Sequence, residues 1–500
     1  MDNLMYLKSG TDIRGTAIEK DGKPVDLTDE RLTKIICAYV DFLKNKLSKN
    51  DLSIALGYDS RVSSIRIAET VLKTLSSLGV KVYNCGLSST PSMFMSVVNF
   101  GVDSAIEITA SHLPMEMNGL KFFTRNGGFS GDDIKEILSS AEKIETEIEL
   151  KNEGILTLDN MEKYCSDLRE MIKKGVNSED YEKPLKGLKI VVDAGNGVGA
   201  FYAEKVLKIL GADTDGSRYL DPDGTVPNHI PNPENKVAMK SICEAVSESK
   251  ADLGVIFDTD CDRAACVDEK AFEINRNKLV ALASYIALKG NDGGTIVTDS
   301  VTSDGLNVFI EKELGGVHHR FKRGYKNVID EAIRLQNEEG KNAPLAIETS
   351  GHAAFRENYY LDDGAYLVTK IIIEAAKLRK EGKTIGSLIE NLQIPLEEKE
   401  VRFTIKLKDF KDYGLSVIDD FKRLCESTDG ISVSPVNHEG VRVNFDKNNG
   451  DGWQLLRMSV HEPLLVLNCE SNEQGGCRKM LDFFKDFITK YEDLDTSKLS

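Results

Sequence analysis

Runs of apolar residues that suit buried strands alternate along the chain with stretches whose apolar positions recur every three or four residues. This alternation forms a unit that occurs three times. The first copy reads "SIALGYDSRVSS", then a predicted helix with apolar Ile65, Ile67, Val71, Leu72, Leu75 and Leu78, then "VKVYNCG" and "SAIEITASH". The second reads "KIVVDAGNGVG", a helix carrying Tyr202, Val206, Leu207 and Leu210, a short segment around "ADTDGSRYL", and "DLGVIFDTDCDR". The third reads "TIVTDSVTSDG", the helix "LNVFIEKEL", "GVHHRF" and "PLAIETSGH". Each final strand delivers reactive side chains: Ser111 in the first copy, three aspartates in the second, and Glu348, Ser350 and His352 in the third. In open α/β sheets ligands sit beyond the carboxyl ends of the strands, so the pattern predicts three related α/β domains with mixed sheets around a central cleft.

Near residue 393 the pattern changes. Short alternating segments "EVRFTIKLKD", "GVRVNFD", "GWQLLRMS" and "LLVLNCES" flank a helix over "LSVIDDFKRLCES", and a last helix follows, which predicts an α+β domain with an antiparallel sheet. The expected domains are 1–165, 166–270, 271–392 and 393–500, with the acidic, lysine-rich stretch 141–183 as helix and connection. Five hundred residues are too many for one core and fit this division. In "ENYYLDDGAY" a strand edge should lead into a helix capped by Asp362 or Asp363, and "VHHRF" should be a half-buried strand end.

Charge and composition narrow the chemistry. A net charge of −17 disfavours nucleic acid and anionic lipid as partners. No apolar run approaches the roughly 20 residues of a membrane helix. The opening "MDNLMYLKSG" lacks the features of a signal peptide, so a cytoplasmic protein is expected. Nine cysteines, odd in number and without a C-x-x-C pair, read as reduced thiols.

"DTDCDR" sets Asp258, Asp260 and Asp262 at alternate positions after an apolar strand. Three crowded carboxylates repel by several kcal/mol even when screened, so a cation is the natural compensation, and oxygen-only ligands favour a hard ion such as magnesium. A calcium-hand loop would need glycine where Arg263 stands. Ser111 in "ITASHLP" fits an ordinary turn, a ligand-binding loop or a covalent carrier. Beside a magnesium site, with cationic His112 and Lys121 nearby, it has what phosphoryl transfer requires. "VVDAGNGVG", with Asp215 twenty residues after Gly195, raises a dinucleotide oxidoreductase as a second class, but its glycines are spaced G-x-G-x-G.

Taken together, "ITASHLP", "DTDCDR", "IETSGH" and "SGTDIRG", with "GYDSRVSS", "GLSSTPS", "DPDGTVPNHIPNPEN" and "TDSVTSDG", resemble the α-D-phosphohexomutase superfamily over nearly the whole chain. The resemblance implies four domains around a cleft, one magnesium ion, a phosphoserine, and reversible movement of phosphate between C1 and C6 of a hexose through a hexose 1,6-bisphosphate. Carried over, the phosphoserine is Ser111 and the metal ligands are Asp258, Asp260, Asp262 and a phosphate oxygen on Ser111. Arg263 follows the ligands, while Thr11, Asp12, Arg14 and Gly15 form the approaching amino-terminal loop. Lys121 and His112 are the candidate general acid and base. Lys322, Gly324 and Tyr325 contact the sugar, and Glu348 and Ser350 hydrogen-bond its hydroxyls. The phosphate loop falls on "RMSVHEP", with Arg457, Ser459, Val460 and His461. That loop departs from the family's R-P-S-G-T-E-P, with Met458, Val460 and His461 in place of proline, glycine and threonine; valine does not readily take the positive φ that glycine allows, so a reshaped nest of backbone N–H donors is expected.

The expected activity is a phosphoglucomutase or phosphomannomutase acting on hexose phosphate as a monomer or homodimer. A phosphoglucosamine mutase and a non-catalytic sugar-phosphate-binding relative are the alternatives.

Overall fold

A computed structural model describes residues 3–145, 148–459 and 462–499. The chain divides into two compact units, Met1–Ile286 with Ser350–Leu388, and Ala287–Thr349 with Ile389–Ser500. The third sequence repeat is thus shared between them.

In the first unit the amino-terminal sheet runs in the order Lys8–Ser9, Asp12–Thr16, Met117–Thr124, Ser104–Ile108, Ser53–Tyr58, Lys81–Leu87, Ile155–Thr157, with Gly127–Gly128 paired to Met117–Thr124. It is mixed: Ser53–Tyr58 pairs parallel with both its neighbours, and Ser104–Ile108 pairs antiparallel with Met117–Thr124. Ile54, Leu56, Ile106, Ile108, Leu120 and Phe122 turn to the core and meet Ile35, Tyr39, Ile67, Val71 and Leu75 from two helices, Asp29–Leu47 and Ser64–Ser77. Apolar faces at the helical period and buried strands make that core without special chemistry.

A second, smaller sheet in the same unit has the order Glu273–Ile274, Ala264–Asp268, Leu253–Phe257, Ile190–Asp193. Leu253–Phe257 is parallel to Ile190–Asp193 and antiparallel to Ala264–Asp268, so "DTDCDR" is the turn of a hairpin. The glycine run beside it seats that turn. A Cβ on Gly197 would lie 2.6 Å from the Thr259 carbonyl oxygen, and the Val198 N–H donates to the same oxygen at 2.9 Å. The glycines are there for close backbone approach, which accounts for a motif that otherwise suggested a dinucleotide. The short segment around "ADTDGSRYL" forms only two isolated bridges, Lys189 with Asp213 and Asp193 with Arg218. Asp213 accepts the Asp215 N–H at 2.9 Å and Ser217 bonds the Thr214 carbonyl at 2.7 Å, local bonds that compete with a ladder.

The helices Asn160–Val176 and Gly364–Lys380 also belong to this unit, joined where Tyr164 donates to Asp363 at 2.6 Å. Asp363 caps the second of them, accepting the Tyr366 N–H at 2.8 Å, as "ENYYLDDGAY" predicted.

In the second unit, Thr295–Asp299 lies between Val317–Phe321 and Leu345–Ile347, all parallel. The carboxyl-terminal sheet is wholly antiparallel in the order Glu397–Thr404, Leu464–Ser471, Gly452–Met458, Val441–Phe445, Ile431–Val433. Its core is rich in aromatics, with Phe403, Phe421, Phe484 and Phe487 packed against Val443, Leu456 and Leu467. This is the α+β domain that the change of period near residue 393 predicted. Within the unit, Arg442 reaches out of this sheet to the Ser300 carbonyl at 3.1 Å and Asp304 at 2.8 Å, with its guanidinium 3.6 Å from the Trp453 ring centre. No helix among the described residues is long and apolar enough to cross a membrane.

Candidate active site

Ser111 follows the strand Ser104–Ile108 with φ +51, a conformation that costs a side-chain-bearing residue about 1–2 kcal/mol and persists only where surroundings impose it. Arg61 imposes it. Its buried guanidinium donates to the carbonyl oxygens of Ser111, of Leu113 at 2.5 Å, of Pro114 at 2.9 Å and of Met117 at 3.0 Å. Asp59 fixes Arg61 in turn, through the Arg61 N–H at 3.0 Å and an ion pair at 3.4 Å. Arg61→Ala should therefore destabilise the protein by about 3 kcal/mol, since it strands a buried carboxylate and several carbonyls. It should also slow turnover on the order of 100-fold through a misplaced serine. A urea midpoint and a rate unchanged from the parent would refute both.

The Ser111 hydroxyl donates to Asp258 at 2.9 Å, accepts from Arg263 Nη2 at 3.1 Å, and lies 3.2 Å from His112 Nδ1. Asp258, Asp260 and Asp262 are buried, and an oxygen from each lies within 4.8 Å of the others. Lys121 donates to Asp260 at 3.1 Å and Asp262 at 2.5 Å, and Arg263 Nε to Asp258 at 3.1 Å. The helix Thr90–Phe100, which begins within "GLSSTPS", supports the aspartate turn from its first residue: Thr90 donates its N–H to the Asp260 carbonyl at 2.9 Å and its hydroxyl to the Asp260 carboxylate at 2.5 Å.

The electrostatics are those of a crowded acidic site. Burial, with Asp262 and Asp260 beside it, pushes the Asp258 carboxyl well above its ordinary range. At Asp262 burial acts the same way but is outweighed by Lys121, His352 and Arg263, which hold it down. The buried Oδ1 atoms of Asp260 and Asp262 have no hydrogen-bond partner among the described residues. Buried ionised oxygens require a partner, and a set of carboxylate oxygens this close suits a hard divalent cation, so these three residues fit a metal.

His112 was expected to be cationic. Burial, then Arg263 and Arg14, push its imidazole down to about 2 beside an unmodified Ser111. Arg263 Nη2 contacts Nδ1 and can only donate, so Nδ1 is an acceptor. Arg14 is paired with Asp12 at 2.8 Å.

Besides Arg61 and Thr90, the sequence did not mark Glu107, or the pairing of His352 with Asp362, as parts of the site. Glu107, two residues before "TASH", is fully buried with neither carboxylate oxygen hydrogen-bonded among the described residues. Burial, Asp59 and Asp260 push its carboxyl well above its ordinary range. His352 pairs through Nδ1 with Asp362, and burial, which alone would lower its imidazole, is outweighed by Asp362 and Asp262, raising it to about 9. Asp262, His352 and Asp362 form a second close group of possible ligands. A charged residue inside an otherwise apolar strand and the histidine of "TSGH" were the available signals.

In the second unit, Glu348 accepts the Gly324 N–H at 2.7 Å, so two predicted sugar-site residues meet. Lys322 is exposed, its ammonium 5.4 Å from the Phe321 ring centre, and Tyr325 opens the helix Tyr325–Glu338. Ser350 belongs to the first unit. Arg457 is buried, and its Nε has no hydrogen-bond partner among the described residues. The Ser459 N–H donates to the Leu464 carbonyl at 2.8 Å. Val460 and His461 lie outside the described residues.

A serine hydroxyl, a carboxylate set fit for a metal, and cationic side chains converging on one point are the parts of a phosphoryl-transfer centre. Residues 7–148, 162–271 and 275–394 match, in order, the alpha/beta/alpha domains I, II and III of the phosphoglucomutase/phosphomannomutase family. A phosphoglucomutase/phosphomannomutase of Thermococcus kodakarensis is 30% identical over 478 residues, 94% of this chain and 95% of the relative. A phosphoglucomutase of Neisseria meningitidis is 28% identical over 442 residues, 87% of this chain and 88% of the relative. Among solved structures, a phosphoglucomutase/phosphomannomutase family protein of Burkholderia thailandensis aligns over 98% of each chain with a TM-score of 0.79 and 25% identity. The chain belongs to the phosphoglucomutase/phosphomannomutase family of enzymes.

Proposed function

We propose that the protein interconverts hexose 1-phosphate and hexose 6-phosphate, with glucose and mannose phosphates as substrates, through phosphorylated Ser111 and a hexose 1,6-bisphosphate. The observation that carries this reading is the Ser111 hydroxyl 2.9 Å from Asp258 in a group of three buried aspartates. In the forward transfer the Oγ–P bond of phosphorylated Ser111 breaks and a bond forms from phosphorus to the free sugar hydroxyl oxygen, whose proton leaves while Ser111 Oγ takes one up. In the return transfer the bond from the other phosphate to its sugar oxygen breaks, a bond forms from that phosphorus to Ser111 Oγ, which gives up its proton, and the vacated sugar oxygen regains one. His112, 3.2 Å from Ser111 Oγ, and Lys121, which holds two of the aspartates, are the groups assigned to move that proton.

Magnesium held by Asp258, Asp260, Asp262 and a phosphate oxygen on Ser111 would supply positive charge against the moving phosphoryl group. Arg263, donating to Ser111 Oγ at 3.1 Å, and Arg14 add charge from the protein itself. Glu348, Ser350, Lys322, Gly324 and Tyr325 recognise the sugar, and the buried Arg457 with Ser459 takes the non-reacting phosphate. The four domains 1–165, 166–270, 271–392 and 393–500 divide these tasks, and the enzyme works in the cytoplasm.

Turnover of glucose 1-phosphate, mannose 1-phosphate and glucosamine 1-phosphate side by side tests the assignment. The first two should be turned over at comparable kcat/KM and the third far more slowly. Exclusive use of the amino sugar would overturn it.

A further inference from the structure

We propose that Glu439 is a positioning residue for sugar recognition, the carboxylate with which the antiparallel carboxyl-terminal domain sets the shape of the loop 322–325. The inference rests on the reading of that loop as the sugar loop. Glu439 Oε1 accepts the backbone N–H of Arg323 at 3.0 Å and also the hydroxyl of Ser300. The next amide, Gly324 N–H, goes to Glu348 at 2.7 Å. Two consecutive amides of one loop are therefore each held by a carboxylate, one from the strand end at 348 and one from a different domain. Two acceptors on adjacent amides fix the two peptide planes that flank Arg323, and with them the direction in which Lys322 and Tyr325 leave the loop. Arg323 is restrained further through its side chain, 3.4 Å from Asp299, and its carbonyl accepts from Asn327 at 2.5 Å.

Glu439 is itself held rigidly. Gly440 has φ +59, and a Cβ there would lie 2.0 Å from the Leu456 carbonyl oxygen, so the chain is pressed against the strand Gly452–Met458 immediately after Glu439. Two residues further on, Arg442 is locked between the Ser300 carbonyl, Asp304 and the Trp453 ring. The acceptor is thus carried on backbone that has little room to move.

Its charge also bears on Arg457, the residue assigned to the non-reacting phosphate. Burial and then Arg323 lower the Arg457 guanidinium, and Glu439, with Glu400 and Asp299, works in the opposite direction. Glu439 therefore acts on a loop assigned to the sugar and on the arginine assigned to its phosphate. The competing account is that Glu439 is only glue between two domains. The two differ in what they predict for substrate binding.

The test compares the parent with Glu439→Ala and Glu439→Gln, measuring kcat and KM for glucose 1-phosphate and mannose 1-phosphate, the urea midpoint, and amide exchange of the peptide covering 322–325. Glu439→Ala should raise KM for both sugars about tenfold, the effect of losing one well-made charged hydrogen bond, with kcat within roughly threefold of the parent. Exchange at Arg323 should accelerate. Glu439→Gln keeps an acceptor oxygen and should recover most of the KM and of the protection, also in the event that the alanine variant fails to fold. KM within twofold of the parent in a folded alanine variant, whatever its loss of stability, would overturn the proposal, as would unchanged exchange at Arg323. A parent enzyme that turns over neither sugar would overturn the sugar reading instead, and amide exchange would then decide alone whether Glu439 holds the loop.

Discussion

Ser111→Ala should abolish turnover, by a factor on the order of 10⁴ or more, while leaving the protein folded. The size follows from the isolation of the hydroxyl. It is buried, it lies among Asp258, Arg263 and His112, and the nearby Thr109 hydroxyl is already committed to the Ser111 N–H at 2.9 Å. Alanine removes the oxygen that would carry the phosphate. Folding should survive because the positive φ at this position strains serine and alanine alike, and because Arg61 holds the loop through backbone carbonyls that the substitution does not touch. Intact mass gives the second readout: the parent should carry one phosphoryl group after incubation with hexose 1,6-bisphosphate, and the variant none. A variant that still gains phosphate, or that turns over within tenfold of the parent, would remove Ser111 from the reaction.

What was legible in the sequence was what is contiguous in it. "DTDCDR" places three carboxylates on one hairpin turn, so their meeting requires only that the two flanking strands pair, and apolar "LGVIF" ensured that. The carboxyl-terminal sheet was legible for the same reason, because alternation predicts strands whatever they pack against. The supports of the site were not legible. Arg61 acts on a loop 50 to 56 residues further along the chain, Thr90 on a carboxylate 170 residues away, and Glu439 on an amide 116 residues before it. Each sits in sequence that reads as an ordinary turn, cap or loop, and its meaning comes only from tertiary approach. His112 shows the complementary failure: its type and position were evident, but its charge is set by burial and by Arg263 and Arg14, which the local sequence does not display.

Removing magnesium should stop catalysis and weaken the fold together, and Asp260→Asn should remove both responses to the ion. The buried Oδ1 atoms of Asp260 and Asp262 lack hydrogen-bond partners among the described residues, and burial and its acidic neighbours drive the Asp258 carboxyl up. A cation that satisfies those oxygens binds the native state and not the unfolded chain. At a hundredfold excess over its dissociation constant it should add about 2.7 kcal/mol of stability. Thermal melts should therefore shift upward on titration with magnesium and return with chelator, and activity should follow the same titration. Asparagine at 260 keeps an oxygen to accept from Thr90 and Lys121, so the variant should fold, but it removes one of the three charges that make the site attractive to a hard ion. It should lose most of the magnesium-dependent shift in melting and on the order of 10³ in turnover. If the parent melts at the same temperature with and without magnesium, or if the asparagine variant responds to the ion as the parent does, the three aspartates are not its binding site.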